Sequence, residues 1–346
     1  MATGVAAAHG PAAARVECRD ESEVQELFLR NGWGDGLPVL PPTPERVGRF
    51  VEAIALPPGH VLGSIPEQGR DVTAEHLAVN AVAAGCRVEY ASVLVASVRA
   101  LLRPEFGLHS ATISGATAPL QIISGDAVRQ LSLNSGFSLF GPGHQANATI
   151  GRAVRLLLQN VCGGVPAVLD KSTFGHPGKY GYCIAEDPER TPWDPLHTAR
   201  GLRAHRSGVT VFSGEAPVNA RNDWSAEPGP ILATIADAMR PSHFTGGTFV
   251  VVLGPLHAAA LASAGLTRED VQRELHERSA RSTAELERAG RWPAGGGSES
   301  EYRHAAESPD HVVVTVAGGH LYGYSAVIPP WVAGPDSLPV TEPVPV

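Results

Sequence analysis

Short runs of apolar residues alternate with amphipathic stretches along the chain, and these two patterns predict strands and helices in turn. Apolar runs of strand length occupy residues 119–124, 209–213, 248–253 and 312–317. Because helical patterns separate these runs, the chain is expected to form an α/β fold with a mixed sheet flanked by helices. The four strands are expected in one sheet or in two related sheets.

Capping signals mark where several of the helices begin. Thr43 precedes a proline at the first helical position, and Thr73 and Thr267 each stand directly before a helical pattern. The predicted helices cover residues 21–31, 44–55, two segments within 73–103, 147–163, 229–240 and 267–280.

Two segments of the chain resemble each other. Residues 121–136 (QIISGDAVRQLSLNSG) and 250–265 (VVVLGPLHAAALASAG) each read as strand, glycine, short helix and glycine, with the same glycine spacing. Chance similarity of two strand–turn–helix units and a weak internal duplication both explain this pattern.

The chain divides by composition into three parts. Residues 1–20 form an Ala-rich leader that is expected to be disordered, and residues 331–346 form a Pro-rich extended tail. Residues 21–330 are expected to form a single α/β domain of catalytic type. Two halves, 21–170 and 171–330, are the alternative division.

Composition narrows the class of protein. The formal net charge of −8 argues against a nucleic-acid partner, and no apolar run is long enough for a membrane span. Four scattered cysteines without a CxxC pair indicate reduced thiols and a cytoplasmic location. No two histidines have the spacing of a metal-ligand pair, so no metal site is predicted, and the sequence identifies no cofactor.

The densest group of reactive side chains lies in residues 172–197. His176, Lys179, Tyr180, Cys183 and Glu186 follow one another there between prolines and glycines. Lys179 and Cys183 project to the same side of an extended segment, where the lysine would lower the thiol pKa. Glu186 has an odd offset from Cys183 and needs a turn at residues 187–188 to act there as acid or base. The alternative is a polar surface loop.

A second candidate site begins the helix predicted from residue 147. The segment FGPGHQANATIGRA (140–153) brings His144, Asn147 and Arg152 to a helix start, where backbone N–H groups favour an anion. No phosphate-loop motif completes it, so an ordinary glycine turn before a helix is the alternative. Cys86, between two predicted helices, is a third candidate as a reactive thiol, and His109 is a further candidate for binding substrate.

Several long blocks resemble one family. The segments NGWGDGLPVLPPTPERV, AVNAVAAGCRVEY, NSGFSLFGPGHQANATIGRAVRLLLQNV and DKSTFGHPGKYGYCIAEDPERTPWDPLH look like those of a largely uncharacterised bacterial family associated with the UGSC selenocysteine or cysteine proteins, which are thioredoxin-related. The resemblance spans roughly residues 25–330. It implies a bacterial enzyme linked to thiol or sulfur chemistry, although the UGSC motif and its GSC counterpart are absent here.

Two hypotheses of function follow. The first is a thiol-dependent oxidoreductase, lyase or hydrolase that acts on a small polar or anionic molecule with Cys86, Lys179, Cys183 and Glu186. The second is a non-catalytic subunit that binds such a molecule or a thioredoxin-like partner, and a homo-oligomer is compatible with both. The first requires a reactive thiol in a pocket. The second requires an exposed apolar patch, for which residues 32–44 and the Pro-rich tail are candidates.

Overall fold

The computed structural model describes residues 15–108, 117–241, 246–330 and 338–345. Within these ranges the α-helices are α1 (Glu21–Arg30), α2 (Pro44–Ile54), α3 (Ala74–Ala84), α4 (Ala91–Leu101), α5 (Ala127–Gln130), α6 (Gln145–Asn160), α7 (Leu196–Ala199), α8 (Pro228–Met239), α9 (Pro255–Ser263), α10 (Arg268–Arg278) and α11 (Thr283–Arg288). The strands are β1 (Val61–Ile65), β2 (Arg70–Thr73), β3 (Ala118–Ser124), β4 (Cys183–Ala185), β5 (Gly208–Gly214), β6 (Val218–Arg221), β7 (Phe249–Leu253), β8 (Arg281–Ser282), β9 (Tyr302–Arg303), β10 (Val312–Val316), β11 (Tyr324–Ile328) and β12 (Val340–Pro343).

The main strands form two four-stranded mixed sheets among the described residues. The first sheet has the order β12-β5-β3-β4, and the second has the order β10-β7-β11-β6. The predicted α/β class is therefore confirmed, and the four predicted strands divide between two related sheets. Two small antiparallel sheets of two strands each, β1-β2 and β8-β9, lie outside these sheets.

The two sheets pack against each other, and helices cover the outer face of each. Leu120 and Ile122 of β3 meet Val250 and Val252 of β7 in the core between the sheets. The alternate residue Ile123 instead packs against α2–α4 and α6 on the outer face. Strands that are buried on both faces are apolar at every position, which explains the continuous apolar runs in the sequence.

The strand directions match between the sheets. In the first, β3 pairs parallel with β4 and antiparallel with β5, and β5 pairs antiparallel with β12. In the second, β7 pairs parallel with β10 and antiparallel with β11, and β11 pairs antiparallel with β6. The repeated strand–glycine–helix segments of the sequence begin at the equivalent strands β3 and β7. The internal similarity thus coincides with a repeat of topology.

The fourth strand of each repeat is exchanged. β6 follows β5 in the chain but lies in the second sheet, whereas β12 follows β11 but lies in the first. Within the Pro-rich tail, which was predicted to be extended, residues 340–343 form an edge strand of the first sheet. Residues 331–337 of the tail and 1–14 of the leader lie outside the described residues.

Candidate functional site

Both candidate catalytic thiols are buried. Cys86 donates a hydrogen bond to the carbonyl of Thr149 at 3.1 Å, and burial raises the pKa of Cys86 to about 12. Burial also raises the pKa of Cys183, on β4, far above its ordinary value. Because the thiolate is the reactive form, neither environment favours a nucleophile at neutral pH.

Lys179 contacts an acidic residue that the sequence analysis did not single out. Its Nζ donates to both carboxylate oxygens of Asp170, at 2.8 and 2.7 Å, and to the hydroxyl of Ser172 at 2.6 Å. Arg155 also contacts Asp170, at 3.2 Å. Burial lowers the pKa of Lys179, and the pairing with Asp170 opposes this shift. The ammonium group of Lys179 is therefore held by Asp170, and among the described residues no contact supports its predicted placement beside Cys183.

Glu186 lies on the opposite face of its strand from Cys183. The extended ladder continues beyond β4, since the N–H of Glu186 donates to Ile123 at 2.9 Å. An odd offset in an extended segment places two side chains on opposite faces. Burial raises the pKa of Glu186, whose carboxylate accepts hydrogen bonds from the backbone of Leu196 (2.7 Å), Thr315 and Arg268. The predicted turn follows at residues 188–190, but it begins after Glu186 and therefore leaves this side chain on the face opposite Cys183.

The anion-binding corner predicted at the start of α6 does not assemble. Nε and Nη2 of Arg152 donate to the two carboxylate oxygens of Asp35, at 2.7 and 2.8 Å. The amide of Asn147 pairs with the backbone of Asn134, accepting from N–H at 2.8 Å and donating to C=O at 3.0 Å. His144 is the residue before α6, and its side chain does not cap the helix. Arg152 and Asn147 thus fasten loops.

The remaining candidates are dispersed. Nδ1 of His176 accepts from the N–H of Gly178 at 3.1 Å, its ring packs edge-on against Tyr182, and burial lowers its pKa. Tyr180 is exposed to solvent. His109 lies outside the described residues. Of the described candidates, Cys86, Asn147 and Cys183 lie near one another in the core, whereas Lys179, Glu186 and Arg152 are engaged with separate partners.

A large cavity lies elsewhere, between α1, the segment 33–44 and α3. Its volume is about 920 Å³. Its apolar lining includes Val24, Leu27, Phe28, Trp33, Val47 and Val79, and Pro41, Pro42 and Pro44 complete this wall. The size and the mostly apolar lining are those of small-molecule sites. Segment 32–44 was predicted only as an apolar patch, because its enclosure by α1 and α3 depends on long-range packing.

The segment 32–40 is fastened on both sides, so the cavity wall is preformed. Gln159 of α6 donates to the carbonyls of Gly32 (2.7 Å) and Gly34 (2.8 Å). Gln25 of α1 exchanges two hydrogen bonds with the backbone of Val39, at 2.8 and 2.9 Å. Together with the Arg152–Asp35 pair, these contacts hold a loop that is rich in glycine and proline in one conformation.

Several polar groups of the cavity lie on α3, and others lie on the segment before α1, on β2 and on α6. The residues on α3 are Glu75, His76 and Asn80. Asn80 and Asn160 are joined by a hydrogen bond of 2.7 Å from Nδ2 of Asn160. Nδ1 of His76 accepts from the N–H of Thr73 at 3.2 Å, which completes a capping box at the helix start. The arrangement offers a few fixed hydrogen-bonding groups beside a large apolar surface.

A second cavity, of about 340 Å³, lies beside β12. Its charged groups are largely matched with one another: Arg103 lies 3.7 Å from both Glu105 and Glu342. Arg200 donates to Thr341 and to the carbonyl of Pro339, both at 2.8 Å. The larger, apolar cavity is therefore the better candidate for a functional site.

Within the described residues, no group of three or more His, Cys, Asp or Glu side chains is placed to hold a metal ion. No helix among them combines the length and apolar character that crossing a membrane requires. Neither the protein-family models nor the curated proteins contain a match to this chain. The resemblance to the UGSC-associated family stays a prediction.

Proposed function

We propose that this protein binds a small molecule with an apolar body and one hydrogen-bonding end in the cavity between α1, segment 33–44 and α3. The observation that carries the proposal is the cavity itself, about 920 Å³ in volume and lined mainly by apolar side chains. Hydrogen bonds from α1 and α6 fasten segment 32–40 of its wall, and a wall held by the protein's own contacts lowers the entropic cost of binding. This supports the second of the two hypotheses, a binding or accessory protein.

A thiol-dependent reaction has less support. Burial disfavours the thiolates of Cys86 and Cys183, and Lys179 and Glu186 are engaged on separate partners. Cys18 is half-buried and lines the cavity, so a thiol is available beside a bound molecule. A thioredoxin-like partner and a homo-oligomer stay predictions.

A titration with N-phenyl-1-naphthylamine, an uncharged dye that fluoresces in apolar surroundings, tests the proposal. The wild-type protein should bind the dye with increased fluorescence. Val79→Trp should fill part of the cavity and weaken dye binding about tenfold. This change corresponds to a loss of about 1.4 kcal/mol in the binding free energy. Circular dichroism should show that the variant is folded.

Val218→Trp is the matched control, because Val218 lies on the exposed edge strand β6 and outside the cavity. It should bind the dye like the wild type. No dye binding by the wild type, or equal binding by Val79→Trp, would contradict the proposal.

A further inference from the structure

Two charged side chains of the smaller cavity, beside β12, have no charged partner among the described residues. Arg200 donates to the hydroxyl of Thr341 and to the carbonyl of Pro339, both at 2.8 Å, but it lies in no ion pair there. The carboxylate of Asp310, in the turn before β10, forms neither an ion pair nor a hydrogen bond with any described residue. The cavity therefore keeps one cation and one anion for a bound molecule.

The other charged side chains of this lining contact one another. Arg103 lies 3.7 Å from both Glu105 and Glu342. With Arg200 and Asp310 included, the lining has three carboxylates and two guanidinium groups. A ligand with only a carboxylate would gain Arg200 but would be repelled by the acidic groups around it. An ammonium group on the same ligand would offset this repulsion through its attraction to Asp310.

A buried hydroxyl in the lining also lacks a partner. Thr248, just before β7, is 1% exposed, and its Oγ1 forms no hydrogen bond. Buried polar side chains without a partner are uncommon in native proteins, because leaving one unmade costs stability. A carboxylate oxygen of a ligand would accept a hydrogen bond from this hydroxyl. Thr248 thus points to a ligand independently of the charges.

The size of the cavity and its fixed groups suit a small polar molecule. Its volume of about 340 Å³ lies near the lower end of the range for small-molecule sites. The contacts of Arg200 use Nε and Nη2, so its guanidinium is held in place while Nη1 keeps its donors for a carboxylate. Nδ1 of His311, on the same wall as Asp310, lies 2.8 Å from the hydroxyl of Ser308.

We propose that this cavity binds a small zwitterion, a molecule with one carboxylate and one ammonium group, as in free amino acids. Arg200 and the hydroxyl of Thr248 bind the carboxylate, and Asp310 attracts the ammonium group. The site is separate from the large apolar cavity, and the proposal does not rest on the function proposed for that cavity.

Isothermal titration calorimetry of the wild-type protein at low ionic strength tests the proposal. Glycine, γ-aminobutyrate and ε-aminocaproate are the probes, because they differ in the separation of their two charges. At least one of them should bind at least about tenfold more tightly than the matched acid without the ammonium group and the matched amine without the carboxylate. Binding of none of the three, or equal binding of the matched acid, would overturn the proposal.

The same probe should leave N-phenyl-1-naphthylamine bound in the large cavity. Displacement of the dye by the zwitterion would contradict a separate site. The calorimetric titration needs no dye, so failure of either proposal leaves the other one intact.

Asp310→Asn tests the contact with the ammonium group. Asp310 is exposed and has no partner to lose, so the variant should keep the melting temperature of the wild type. It should weaken binding of the zwitterion about fivefold, the upper range for an exposed ion pair, and should not weaken binding of the matched acid. Asp237→Asn is the control, because Asp237 is exposed and lies outside this cavity. Equal affinities of the two variants for the zwitterion would contradict the role of Asp310.

Thr248→Val tests the hydroxyl with a readout that a structural role would not give. Replacing a buried hydroxyl that has no partner by a methyl group of the same shape should leave the melting temperature unchanged or raise it. Binding of the zwitterion should nevertheless weaken about tenfold, because a hydrogen bond to its carboxylate is lost. Thr198→Val is the matched control, since the hydroxyl of Thr198 is also buried without a partner but lies outside this lining. Unchanged affinity in Thr248→Val would remove this residue from the site.

Discussion

At the scale of single residues, the four cysteines differ in their access to solvent. Cys86, Cys162 and Cys183 are buried, whereas Cys18 is half-buried in the wall of the large cavity. Burial raises the pKa of Cys162 to about 12, as it does for Cys86. Of the four cysteines, only Cys18 is accessible to a reagent in the folded protein.

Titration of the native protein with a thiol reagent such as dithiobis(nitrobenzoate) at neutral pH should therefore show one rapidly reacting thiol. The denatured protein should show all four, and Cys18→Ser should lose the rapid phase. Rapid labelling of Cys86 or Cys183 in the native protein would contradict this expectation and would return support to a thiol-dependent enzyme.

For single residues of the candidate site, the sequence predicted the reactive groups but not their partners. Residue types and spacing identified Lys179, Cys183 and Glu186 as reactive groups that are close in the chain. Their direction depends on partners far away in sequence: Glu186 meets Thr315 of β10 and Arg268 of α10. The partners of these charged groups are set by tertiary packing, so a local sequence pattern cannot predict them.

At the scale of elements, α6 fastens the loop that forms the cavity wall. Asp35 and Arg152 form a bidentate pair whose side chains are only 5% and 15% exposed. Removal of one partner of a buried pair leaves the other charge without compensation. Arg152→Ala should therefore lower the free energy of unfolding by about 3 kcal/mol, measured by urea denaturation.

Arg278→Ala serves as a control for this prediction, because Arg278 pairs with Glu274 on the exposed face of α10. It should change the free energy of unfolding by less than about 0.5 kcal/mol. If Arg152→Ala is as stable as this control, the pair does not fasten the loop. The expectation from sequence, that Arg152 binds an anion, would then regain support.

Helices that begin at a capping residue were predicted correctly from the sequence. Thr43, Thr73 and Thr267 cap α2, α3 and α10 as expected, because a capping hydroxyl acts within three residues of the chain. The strands β6 and β12 were missed because each is a four-residue edge strand with little apolar pattern. Pro343 ends β12 without loss of a sheet hydrogen bond, since edge positions tolerate proline. The strand was not predicted because prolines argue against a strand in a sequence pattern.

At the scale of the whole molecule, the exchanged strands connect the two repeats. The segment from β3 to β6 builds most of the first sheet but places β6 in the second, and the segment from β7 to β12 places β12 in the first. Val340 and Val344, in and just after β12, are buried in the core of the helices that cover the first sheet. Neither repeat therefore completes its own sheet.

This exchange predicts how two fragments of the protein behave. A fragment that ends at Pro241 lacks β12, and a fragment that starts at Gly246 lacks β6 and the partner sheet. Each would leave a sheet edge unpaired and the core between the sheets exposed to water, at a cost of about 25 cal/mol for each Å² of apolar surface. Alone, each fragment should lack cooperative thermal unfolding.

Mixed in equal amounts, the two fragments should form a one-to-one complex, measured by sedimentation. Circular dichroism of this complex should show the cooperative unfolding of the intact chain. Cooperative unfolding of the first fragment alone would show that β12 is dispensable for the first sheet and would contradict the proposed dependence.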